Sequence, residues 1–162
     1  MSLMEKFSTD EIENLKLSVI RVFNYIADID GKIDKKEVTA IETFLKNIRK
    51  FNSELLNELF VELPVIGILE EKRSLSGLGD REGLRYISAL LDRKIDREEA
   101  LNFKKSLIAL GYFVADSSGS FFEHNISDDE NSALNSIAKD LDLSLREMIS
   151  TKQIQRLIES MG

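Results

Sequence analysis

The chain has 162 residues, a formal net charge of -7, 43% hydrophobic residues, eight glycines, one proline, one histidine and no cysteine. Without cysteine there are no disulfides, thiolate metal sites or cysteine nucleophiles, which fits a reducing cytoplasm. The acidity argues against nucleic acid as a partner, because phosphate binding requires clustered Lys and Arg.

Scarce helix breakers beside abundant Leu, Ile, Lys and Glu predict an all-α protein, a compact bundle of about seven to eight helices. The length suits one domain over 1–162, with residues 1–7 expected to be a flexible leader added in part by cloning. No segment has the order of a signal peptide. The longest apolar runs, Leu63–Leu69 and Leu107–Ala115, are about half of what a bilayer requires. They are expected to be core segments, with no direct membrane insertion.

Helix starts are marked by Ser or Asp followed three residues later by Glu, at Ser8/Glu11, Asp34/Glu37, Asp96/Glu99, Ser127/Glu130 and Ser144/Glu147. After the first, Ile12, Leu15, Val19, Val22, Phe23 and Ile26 recur at helical spacing, predicting an amphipathic helix that ends near 28–31. A second helix is predicted from Asp34 to Lys50, with Val38, Ile41, Phe44, Leu45 and Ile48 inward. Ser53 starts a third, with Leu55, Leu56, Leu59 and Phe60 apolar; Pro64 either ends it or sits in the first turn of the next.

The stretch 74–83 holds three glycines and reads as a loop, followed by a helix over about 82–92. Asp96 opens a helix to Ala115 whose second half is apolar almost all round, which predicts a central position for Leu107 to Val114. A further helix spans 128–141 through Leu134, Ile137 and Leu141, and Ser144 begins a terminal one. The basic pairs Lys72-Arg73 and Lys104-Lys105 read as solvated helix faces, and no strand is predicted.

Carboxylates gather around two turns. The first carries Asp28, Asp30, Gly31, Ile33, Asp34 and Glu37; the second carries Asp116, Gly119, Ile126 and Glu130, and an alanine precedes the first aspartate of each, at Ala27 and Ala115. This agreement suggests an internal duplication pairing helices 1 and 2 with helices 6 and 7 about an approximate two-fold. In EF-hand register Asp28, Asp30, Asp34 and Glu37 take positions 3, 5, 9 and 12, while Ile26 stands at position 1, where a ligand is normally required. The metal candidates are Asp28, Asp30, Asp34, Glu37, Asp116 and Glu130.

An equally direct reading makes Gly31 a turn residue, with Asp34 and Glu37 a capping box. The second turn is five residues longer between its glycine and isoleucine, so 120–125 must bulge outward, carrying Phe121, Phe122 and His124. A lone loop histidine reads as solvated, and the two phenylalanines as packed back on the core. Symmetry places the two acidic turns within about 15 Å of each other, where their repulsion calls for a shared divalent ion or screening. Nothing resembles a nucleophile with a base, a phosphate loop or a dinucleotide fingerprint, so no enzyme is expected.

The alanine-aspartate-glycine turn, followed by an isoleucine and a glutamate four residues later, resembles the tellurite-resistance TerB family. Ala27, Asp30, Gly31, Ile33 and Glu37 carry one instance; Ala115, Asp116, Gly119, Ile126 and Glu130 carry the second. The resemblance implies a cytoplasmic helical bundle without catalytic activity, acting through protein partners in tellurite or other stress responses, with a divalent cation at the acidic turns. Oxygen-only ligands favour calcium. The alternative is a protein-interaction scaffold whose acidic turns are helix junctions and whose working surface is apolar.

Overall fold

A computed structural model describes residues 2–27, 35–51, 53–62, 64–118, 128–144 and 146–147, apart from the side chains of 36, 116–118 and 128–131. These residues form seven α-helices: α1 Thr9–Ala27, α2 Lys35–Lys46, α3 Glu54–Leu59, α4 Ile66–Leu75, α5 Asp80–Lys94, α6 Arg97–Ser118 and α7 Asp128–Asp140. Short 3-10 turns occupy Leu3–Lys6 and Ile48–Lys50. The protein is all-α, with no strand among the described residues, and no described helix is long and apolar enough to cross a membrane.

Local chemistry sets the boundaries. Ser8 and Glu11 close a reciprocal capping box at the start of α1: the Ser8 N–H donates to Glu11 Oε1 at 2.8 Å and the Glu11 N–H to Ser8 Oγ at 3.2 Å. Ser144 and Glu147 make the same pair of bonds at 2.7 and 3.3 Å. Ser53 Oγ accepts from the Leu56 N–H and starts α3. At the end of α7 the Leu143 N–H reaches the Ala138 carbonyl at 2.8 Å and the Asp142 N–H the Lys139 carbonyl at 3.1 Å. That is a Schellman closure, and it holds Asp142 at a φ of 59°, a left-handed position usually filled by glycine.

The buried apolar side chains form one contiguous cluster, drawn from every α-helix. Two helices share its centre. As expected, α6 buries Leu107, Ile108, Ala109, Leu110, Val114 and Ala115. But α1, expected to be amphipathic, is also enclosed from Leu15 onward, including Leu17, Ser18, Ile20, Arg21 and Asn24 on the side opposite its apolar stripe. It meets α3, α4, α5, α6 and α7, so little of it faces water. Gly111 is where α6 comes closest to its neighbours: a Cβ there would stand 2.7 Å from Leu134 Cδ2 and 3.5 Å from Val22 Cγ1. Phe44 and Phe51 extend the core beyond α2 as a tilted pair with centroids 4.9 Å apart.

Four expectations are corrected. The run 63–69 is not a core segment: Leu69 is buried, but Val65 and Ile68 are 64% and 52% exposed. Pro64 lies in neither helix, because α3 ends at Leu59 and α4 begins only at Ile66. The loop read at 74–83 shrinks to 76–79, since α4 continues to Leu75 and Gly83 sits inside α5. Residues 2–7 are docked, not loose: the Glu58 carboxylate accepts from the Ser2 hydroxyl and from the Leu3 and Met4 N–H groups, and Phe7 is buried. The expected two-fold relation between the α1–α2 and α6–α7 pairs turns on 28–34 and 119–127, which lie outside the described residues.

Gly83 has a packing reason to lack a side chain. A Cβ there would meet Arg21 Cζ and Nε at 2.4 Å and Cδ at 2.7 Å, and Arg21 is completely buried, so its guanidinium has little room to yield. Alanine improves helix propensity by about 0.8–1.0 kcal/mol, while overpacking a filled interior costs about 1–3 kcal/mol. Gly83→Ala is therefore expected to lower the unfolding free energy, despite the better helix former. Urea denaturation of the two proteins checks the sign, which propensity alone would reverse.

Candidate functional site

Ala27 ends α1 and Lys35 begins α2, so the first acidic turn connects these two helices, but Asp28, Asp30 and Asp34 lie outside the described residues. Glu37 is described. It sits in the first turn of α2 and is 1% exposed. Asp116 lies near the end of α6 and Glu130 near the start of α7, on either side of the second turn, and their side chains are not among those described. His124, Phe121, Phe122 and the expected spacing between the turns also fall outside.

Glu37 differs from other glutamates in the predicted capping boxes. Glu11 and Glu147 close their boxes while half-buried, as befits exposed helix ends. Glu99 is buried for another reason: its Oε1 accepts from Ser53 Oγ and from the Leu55 N–H, both at 2.9 Å, so a residue of α6 caps the N-terminus of α3. Its own helix is capped by Asp96 Oδ1, which accepts from the Glu99 N–H at 2.8 Å. That predicted box is therefore half-formed, its glutamate serving a neighbouring helix. Glu37 is buried at the α1–α2 junction, where three aspartates precede it in sequence.

Among the described residues no group of three or more His, Asp or Glu side chains is placed to hold a metal ion. The donor chemistry of the first turn fits a hard divalent ion, being carboxylate oxygen throughout. A carboxylate-lined cavity of about 300 Å³ between Glu54, Asp96, Glu98 and Glu99 offers less, because Asp96 and Glu99 are engaged as helix caps.

Several charged residues without a predicted role are buried. Lys104 is 2% exposed, its Nζ 2.8 Å from Asp92 Oδ1, beside a cavity of about 370 Å³ shared with Arg97 and Asp142. Arg73 is likewise half-buried, bonded to Glu70 and 3.2 Å from Asp80. Lys104 belongs to no solvated helix face and Arg73 is only partly exposed, which corrects that reading for these two residues, while Lys72 is exposed as expected.

Arg21 donates to Asn14 Oδ1 at 3.2 Å and Ser76 Oγ at 3.0 Å, and its buried Nε has no hydrogen-bond partner among the described residues. Burial pushes the Arg21 guanidinium below its ordinary pKa, and Asp80 opposes that shift. Burial in turn raises the Asp80 carboxyl, against the pull of Arg73. Only helical periodicity places Arg21, four residues from Leu17, on a helix side at all. Sequence carried no signal that this side would be covered.

Compared with protein-family models, with curated proteins and with solved structures, the chain shows no match.

Asp140 ties α7 to α5, accepting from Arg81 Nε and Arg85 Nε, each at 3.0 Å. Burial raises its carboxyl pKa, but the hydrogen bonds and charges of the two arginines outweigh this and hold it below the ordinary carboxylate value. Its stabilising contribution is thus complete above the unfolded-state pKa, about 3.9, and is lost as pH falls through the lower folded-state value. Asp140→Asn is expected to cost about 1–3 kcal/mol at neutral pH. Urea midpoints for both proteins should converge as the solution is acidified below the carboxylate range.

Proposed function

We propose that this chain is a non-enzymatic, TerB-like helical module that binds a divalent cation weakly at the α1–α2 turn, calcium in preference to softer ions. Asp28, Asp30, Asp34 and Glu37 would hold the ion, with Asp116 and Glu130 as the corresponding pair at the α6–α7 turn. The observation that carries the reading is the burial of Glu37 in the first turn of α2, while the glutamates of two other capping boxes stay half-buried. A bound cation supplies positive charge to a junction rich in carboxylate. On the family resemblance, the setting is a cytoplasmic stress response, tellurite resistance among the possibilities, carried out through protein partners.

A second reading has an observation of its own. Val61, Val65, Ile68 and Leu75 are 77%, 64%, 52% and 80% exposed, all within the α3–α4 region. Val61 also borders a cavity of about 440 Å³ with Met4, Leu59, Phe60 and Pro64. Exposed apolar surface of this kind suits a protein-interaction scaffold, in which the acidic turns serve only as helix junctions.

Calcium titration separates the two. Loops at the weak end of the range bind with Kd of about 10⁻⁴–10⁻³ M. At ~10 mM calcium such a site stabilises the fold by about 1.4–2.7 kcal/mol, a rise in melting temperature of roughly 3–10 °C for a chain of this size. The rise should exceed that in sodium chloride of equal ionic strength and disappear in Asp30→Ala. No calcium-specific rise, or one that persists in Asp30→Ala, leaves the scaffold reading in place.

A further inference from the structure

The attachment of α4 differs in kind from that of the other helices. Of its ten residues only Leu69 is buried, whereas α3, with six, buries Leu55, Leu56 and Leu59. The remaining anchors are polar. Asn24 Nδ2 of α1 donates to Glu70 Oε2 at 2.5 Å, Arg73 bridges Glu70 and Asp80, and Lys72 Nζ lies 3.5 Å from Glu13 Oε1. Just past the helix end, Ser76 accepts from the guanidinium of Arg21.

Beneath this cover Arg21 is completely buried, yet its hydrogen bonds go to neutral side chains and no carboxylate lies within ion-pair distance of it among the described residues. The nearby carboxylates are committed elsewhere, Glu70 to Asn24 and Arg73, and Asp80 to Arg73. A buried charge without a direct counter-ion favours any motion that hydrates it. The segment also has freedom at both ends. Pro64 and Val65 precede it in extended or irregular backbone, and Gly77 and Gly79 follow it, Gly77 with open space where a Cβ would stand.

We propose that α4 is an ionic strap: it lifts from α1 as a unit, breaking the Asn24–Glu70, Arg73–Asp80 and Arg21–Ser76 contacts and hydrating Arg21, while the bundle around α1 and α6 stays closed. Regions with few buried apolar contacts open below the global unfolding free energy. Partly exposed ion pairs weaken as salt shortens the screening length from about 8 Å at physiological strength to about 3 Å at 1 M. Opening of α4 is therefore both local and salt-dependent, which apolar packing would not make it.

Native-state hydrogen exchange on the full chain tests this, read as protection factors for peptides covering 66–75 against those from α1 and α6. Expected are protection factors in 66–75 at least about tenfold below those of α1 and α6, falling several-fold further in ~1 M sodium chloride while the other two hold. Glu70→Gln, on a partly exposed side chain, should lower protection in 66–75 alone. Equal protection in α4, α1 and α6 would overturn the strap, since α4 would then open only with the whole fold. Low protection in α4 that neither salt nor Glu70→Gln alters would overturn its ionic character. A loss spread equally over all three helices would show that the contacts stabilise the bundle globally, and would also overturn it.

Discussion

The close packing of α1 on α6 is the constraint on which the other elements depend. Neither helix can face water, so each needs further helices to cover its remaining sides, and α5, α7, α3 and α2 supply that cover. At Gly111 there is little slack toward α7: Leu134 already occupies the space a methyl group would need, while Val22 of α1 would stand at ordinary contact distance. Full burial of a Leu, Ile or Val side chain is worth about 1.5–3 kcal/mol, and the two helices bury ten such residues between them. This term exceeds any single polar contact in the molecule. It explains why these helices tolerate polar residues on their covered sides, Arg21 and Asn24 on α1 and Lys104 and Ser106 on α6.

Polar residues in turn determine how the outer elements attach. Glu99 reaches from α6 to cap α3, Glu58 reaches from α3 to cap the N-terminal 3-10 turn, and Asp140 joins α7 to two arginines of α5. In each case one carboxylate satisfies donors from another segment, and a net contribution of about 1.5–3 kcal/mol for a charged hydrogen bond is comparable with burying one more leucine. Helix α4 takes this to its limit, with a single buried leucine and an ionic seam. The surface it leaves exposed is mixed, Ile68 and Leu75 standing beside Glu71, Lys72 and Ser74.

Elements with strong local signals were legible in the sequence. Ser8 and Ser53 start helices as expected, Ser144 closes its capping box with Glu147 while most of the helix expected after it lies outside the described residues, and the apolar second half of α6 lies at the centre. The misreadings share a cause. Leu63 to Leu69 reads as core because hydropathy measures a residue and not its surroundings, and nothing local records that no helix covers Val65 and Ile68. Lys104 reads as solvated for the mirror reason, since Asp92, its partner, stands twelve residues away on the preceding helix. Glu99 was read as serving its own helix, and only the tertiary arrangement brings Ser53 and Leu55 within reach. Of the candidate site, sequence located the helices that flank it; the structure adds the burial of Glu37.

The weak affinity expected at the α1–α2 turn has a cause visible in the same ten residues. Asp28, Asp30, Asp34 and Glu37 are interleaved with Lys32, Lys35 and Lys36. A cation entering this segment gains the attraction of four carboxylates but meets three ammonium groups a few residues away, each tethered at high local concentration. At about 8 Å and an effective dielectric near 20 such a repulsion is worth roughly 4 kcal/mol for each pair of divalent ion and ammonium before screening, more than a tenfold change in Kd. The missing ligand at Ile26 acts in the same direction. Removing the lysine charges should therefore tighten binding where removing an aspartate abolishes it, a contrast that a simple helix cap, which needs no cation, does not produce.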